Sequence, residues 1–158
     1  MDATYIHLLT NHIPILGSLF GFVLLLIGML LKNRTVEIVA LSTILLSALF
    51  TLPAYFSGEE AEHVVEKIAG ISEFHLEEHE EHAELTLWLM IISGLLALMS
   101  LVSFRFATHL TRIARGSTLV ITGFAFITML PLANHGGKIM HSELRDGESI
   151  EAHDEDAH

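Results

Sequence analysis

The stretches Ser18–Leu31, "SLFGFVLLLIGMLL", and Leu87–Val102, "LWLMIISGLLALMSLV", decide the fold. Neither carries a charge, and neither leaves the polar stripe that a water-soluble helix turns to solvent, so both are apolar all round. Such helices belong in hydrocarbon. Working outward from them, apolar runs cover residues 13–31, 36–56, 83–104 and 117–133, each close to the ~20 residues that a helix needs to cross a bilayer. The composition, 51% hydrophobic, agrees. The predicted fold is an all-α bundle of four transmembrane helices with a short extra-membrane helix between spans two and three. A chain of 158 residues with four spans leaves room for one membrane domain, and no internal repeat stands out. A cleaved leader is not expected, because Met1-Asp2-Ala3 lacks a basic region and no small-residue cleavage site follows the apolar run.

Positive charge orients the bundle. Lys32 and Arg34 follow the first span, and Arg105, Arg112 and Arg115 follow the third, which predicts that these two links face the cytoplasm. Both termini and the segment from Ser57 to His82 then lie outside, in the periplasm if this is a bacterial inner (plasma) membrane. Of the 11 histidines only His109 falls inside, and of the 19 carboxylates only Glu37 does. That asymmetry points to a metal or haem centre at the outer face. Zero cysteines exclude disulfides, iron–sulfur ligation, c-type haem attachment and thiolate metal sites.

The outer segment reads in two pieces. Ser57 with Glu60 makes a capping box, and Ala61, Val64, Val65 and Ile68 line one face before Gly70, so a short amphipathic helix is expected over the bundle mouth. Ser72 is then the N-cap of a helix that runs without a break into span three and projects about three turns beyond the membrane. After Ala133 the periodicity is lost at Gly136-Gly137, and residues 136–158 form an acidic outer tail.

On the projecting helix His75, His79 and His82 share a face, and His79 also sits on the stripe Leu76, Ala83, Leu87 that should turn inward. His12 lies near the start of the first span, with His7 about 140° round the helix; His135 and His141 follow span four; His63 sits in the short outer helix. Glu59, Glu62 and Glu66 offer carboxylates from the same end. Imidazole plus carboxylate suits Fe, Zn, Cu, Mn or Ni, and two facing imidazoles suit a b-type haem held between helices. One Glu-x-x-His, at Glu60 and His63, is too few for a ferritin-like di-iron site. Gly17-x-x-x-Gly21 permits close helix packing or the approach of a flat macrocycle, with packing the more frequent use. Pro14, Pro53 and Pro131 all fall in the outer third of their spans and should splay the outer mouth. Trp88, Tyr5, Tyr55 and Phe56 sit where an aromatic belt would.

The opening "HLLTNHIPILG" resembles an uncharacterised family of bacterial four-span membrane proteins whose first span begins His-Pro-x-x-Val-His-Phe-Pro-Ile. His7, His12, Pro14 and Ile15 match, while Leu8, Asn11 and Ile13 depart, as in a divergent branch. The stretches "SGEEAEHVVEKIAGISE", "HEEHAE" and "GGKIMHSE" extend the resemblance over most of residues 7–143. It implies roles for His7, His12, Gly58, Glu59, Glu62, Glu66, His79, Glu80, Gly136, Gly137 and His141; His63, His75, His82 and His135 stand where the family would carry other residue types. The resemblance brings no settled activity, although some relatives resemble parts of respiratory or cytochrome-containing systems.

The expected centre is built from His12, His79 and His141, with His7 and Glu59, Glu62 and Glu66 as further ligands or as groups that orient them. Haem b or a first-row ion (Fe, Cu or Zn) is the expected cofactor, and electron transfer the expected function. Divalent-metal binding for transport or sensing, and a structural subunit of a membrane complex, stay open beside it. No charged group lies midway along any span to relay an ion, and no nucleophile–base pair is legible, although a zinc-bound water stays open. The expected partners are the lipid bilayer and other redox membrane proteins, without nucleic acid; self-association stays open. A reporter active only in the cytoplasm should be silent when fused after His158 and active in the 32–35 loop, and the reverse pattern would move the histidines to the other face.

Overall fold

Helices long enough to cross a bilayer leave apolar side chains facing outward, and this chain does so throughout. The computed structural model describes residues 3–65, 67, 71–106 and 109–140. It holds α1 (Ala3–Thr10), α2 (His12–Leu30), α3 (Arg34–Val65), α4 (Glu73–Ser103) and α5 (His109–Met140), with no strand among the described residues. The helices α2, α3, α4 and α5 pack as a closed ring of consecutive antiparallel neighbours, and α1 lies on α3. Leu16, Phe20, Leu46, Leu49, Trp88, Leu95, Val120 and Ile127 point away from the ring and are each at least half exposed. Four helices are long and apolar enough to span a membrane. The protein is an integral, multi-pass membrane protein, since water would not tolerate this much outward apolar surface.

Inside the ring the packing is of small and hydroxyl-bearing residues, as expected where lipid supplies no hydrophobic drive for helices to associate. Leu25, Ala40, Leu41, Ile44 and Ala97 form one buried cluster, and Ala48, Met90, Ala125 and Met129 another. Hydroxyls stitch neighbours together: Ser47 Oγ donates to the Ile13 carbonyl (3.1 Å), Thr86 and Thr128 pair at 3.2 Å, and Ser100 and Thr118 at 3.3 Å. Gly17 and Gly21 serve helix packing, since a Cβ on either would collide with Ser47 or Ile44 of α3.

The helix ends differ from the sequence reading in an informative way. The helix expected after Ser57 is present as the last turns of α3, continuous with the span, because Ser57 Oγ donates back to the Pro53 carbonyl (2.6 Å) and does not cap a new start. On the other side of the link Ser72 does cap α4, accepting from the His75 N–H. The fifth helix runs through Pro131 and the Gly136-Gly137 pair to Met140, so the boundary placed at residue 136 falls inside it. The N-terminus adds α1, joined to α2 by one turn residue, Asn11. At 1.5 Å per residue the 31 residues of α4 extend about 46 Å, against ~30 Å of hydrocarbon, so about three turns' worth of rod stands outside the lipid core. These extensions beyond the lipid core build the platform that carries the histidines.

The opposite end is closed by charge. Glu37, 3% exposed, meets the Arg115 guanidinium; Arg34 donates to the Phe104 carbonyl (2.8 Å), and both arginines lie over the Phe104 ring at 5.0 and 5.4 Å from its centroid. This explains the one carboxylate at that end: it ties α3 to α5 where the two cationic links gather. Replacing Arg115 by Met should lower stability in detergent by about 3 kcal/mol, because it leaves a buried carboxylate without its counter-charge, and adding Glu37→Gln should restore most of that loss. Equal loss in the single and double variants, read by thermal unfolding, would show that the pair contributes nothing.

Candidate functional site

A histidine whose Nδ1 faces a backbone carbonyl must carry its proton there, because a carbonyl oxygen can only accept. His7 on α1 donates from Nδ1 to the Ala54 carbonyl of α3 at 2.8 Å, and His79 on α4 donates from Nδ1 to the Leu132 carbonyl of α5 at 2.9 Å. In the neutral ring each Nε2 is left with a free lone pair. Each ring also lies on a glycine of the same partner helix: a Cβ at Gly58 would stand 2.9 Å from His7 Cε1, and one at Gly136 would stand 2.9 Å from His79 Cε1. No other residue permits that approach.

The two arrangements repeat one another. In both, the accepting carbonyl belongs to the residue after a proline (Pro53-Ala54, Pro131-Leu132), the glycine lies five positions beyond that proline, and the histidine comes from the N-terminal end of the preceding helix rod. The contact of α1 with α3 thus has a local counterpart in the contact of α4 with α5. His7 lies near enough to His79 for the charge of one ring to act on the other.

The remaining expected site residues are placed as follows. His12 opens α2 on an exposed position, and its ring meets the Asn11 side chain. Glu59 is exposed and Glu62 half-buried; together with Glu80 and Glu84 of α4 they are grouped about the Tyr55 hydroxyl. Glu66 and His141 lie outside the described residues. His7 and His79 are thus brought together, and His12 is not shown joining them. Among the described residues no three His, Asp or Glu side chains are arranged to hold a metal ion.

A second histidine group was not anticipated. His75 is buried, 3% exposed, with its Nδ1 3.0 Å from the Nδ1 of His135; the His82 ring stacks on His135, with centroids 5.8 Å apart and planes at 21°, and Phe74 sets its edge against His75 and His135. His82 itself is held by its Nδ1 on the Glu78 carbonyl (2.7 Å). The signal for this group was the seven-residue spacing of His75 and His82, which share a face. Ending span four at Ala133 hid the third member, since His135 joins them only if α5 stays helical past Pro131. Comparison with known proteins adds no relative: no family model, curated protein or solved structure matches the chain.

Proposed function

We propose that this protein is an electron-transfer subunit that holds a b-type haem between His7 and His79 at the outer end of the bundle. The observation that carries the reading is the duplicated histidine device, in which each Nδ1–H is committed to a carbonyl of the neighbouring helix and each Nε2 keeps its lone pair. A donor fixed in tautomer and ring orientation by a second partner is what metal-ligating histidines require. A matched pair of such donors suits a flat ligand held between them, and among the described residues no three-donor ion site competes with it. His7 and His79 would hold the haem through their Nε2 atoms, and the haem would supply reversible one-electron exchange.

The chain's own residues would do the rest. The carbonyls of Ala54 and Leu132 hold the rings, Gly58 and Gly136 let them lie flush against the partner helices, and Pro53 and Pro131 bend those helices just before the contact. The carboxylates about Tyr55 would surround the centre with negative charge, which stabilises the oxidised state. On this reading both termini lie outside a bacterial inner membrane and the partners are other redox proteins of that membrane; the divergent-family resemblance of the first span is part of the same proposal.

Protein purified in mild detergent and supplied with haemin should show a Soret band that shifts on reduction. Its intensity is expected to fall at least tenfold in either His7→Ala or His79→Ala and to stay within about twofold in His63→Ala. Loss in His12→Ala with His7→Ala silent would transfer the ligand role to His12, and a protein that binds no haemin would leave the two histidines as helix ties.

A further inference from the structure

The His75–His135 contact lies outside the proposed haem pair, and its nitrogen spacing fits a chelate as well as a hydrogen bond. Two nitrogens bound to one ion at about 2.0–2.1 Å stand about 2.9 Å apart when they occupy adjacent corners of a square or octahedron, and about 3.4 Å apart in a tetrahedron. The two Nδ1 atoms are 3.0 Å apart. We propose that His75 and His135 clamp one divalent first-row ion of tetragonal or octahedral preference, copper(II) or nickel(II), across the outer ends of α4 and α5. Copper(II) binds more tightly than nickel(II) to a nitrogen site of given geometry.

The chemistry balances without an added reactant. As a plain hydrogen bond the contact needs one ring with its proton on Nδ1 and the other with its lone pair there. Ion binding places both lone pairs on the metal, and the first ring moves its proton to Nε2 by tautomerisation, so no net proton is released from neutral rings. The rings are held in place by the stacked His82, itself fixed on the Glu78 carbonyl, and by the edge of Phe74. The Glu78 carboxylate acts electrostatically on His135 and lies 4.0 Å from the His82 Nδ1, which offsets part of the ion's positive charge. Two protein donors, with water completing the shell, make an exchangeable site. The clamp does not depend on the haem proposal, since it uses neither His7 nor His79.

Copper(II) chloride added to the full-length protein should bind at one equivalent with nitrogen hyperfine structure in the electron paramagnetic resonance spectrum. It should also raise the Tm by about 5–10 °C at a hundredfold excess over Kd, because the ion joins two helices. The paired substitutions His75→Gln and His135→Gln should each lose that Tm rise and weaken the equivalent at least tenfold. The half-exposed His135 variant keeps the test valid if the buried His75 variant fails to fold. His63→Ala should keep both responses. Copper bound with no Tm rise, or a rise that survives in His135→Gln, would place the metal elsewhere and overturn the proposal.

Discussion

In hydrocarbon no water is available to take up a backbone N–H or carbonyl, and lipid tails are as apolar as leucine, so helices meet only where they can approach closely or share a hydrogen bond. Every contact that shapes this bundle obeys that constraint. Glycine faces serine and isoleucine between α2 and α3, threonine meets threonine between α4 and α5, and the large apolar side chains are left to the lipid. The small-residue interior brings four rods together over the thickness of the membrane. Their length then decides what happens beyond it, because rods of about 30 residues outrun the hydrocarbon and stand out together on one side.

On that extramembrane platform a polar side chain can bond to a neighbouring helix without the full cost of burial in lipid. His7 and His79 do so in the same way, each on the carbonyl after a proline and over a glycine of the partner helix. One arrangement serves two ends. It ties α1 to α3 and α4 to α5, and it fixes the tautomer, with the proton on Nδ1, that the proposed haem site would need. Among the described residues the opposite end carries no such device; there the buried Glu37 with Arg115, and Arg34 on the Phe104 carbonyl, close the bundle by charge. The bundle is therefore chemically polarised, with salt at one end and imidazole at the other.

The spans were legible because a run such as "LWLMIISGLLALMSLV" admits no amphipathic reading, and the Ser72 cap was legible because its serine begins a long periodic segment. The helix ends near Ser57 and Gly136 were not, because local rules assign a stop to glycine and a start to serine, whereas here a histidine ring needs that glycine inside a helix and the serine hydroxyl turns back on its own carbonyl. The site was half legible. His79 follows from its stripe and His7 from its motif, but both stretches that spell the repeat, Pro53 to Gly58 and Pro131 to Gly136, differ at every position between proline and glycine. Only three-dimensional placement shows that their carbonyls and glycines do the same work.

The central claim is that His7 and His79 act as a pair of nitrogen donors to one flat centre. Near-infrared magnetic circular dichroism of the oxidised, haem-loaded protein reads axial ligands directly. The account expects a low-spin bis-imidazole band that disappears in both His7→Ala and His79→Ala. A high-spin or single-histidine spectrum, or a bis-imidazole band that persists in either variant, would contradict it.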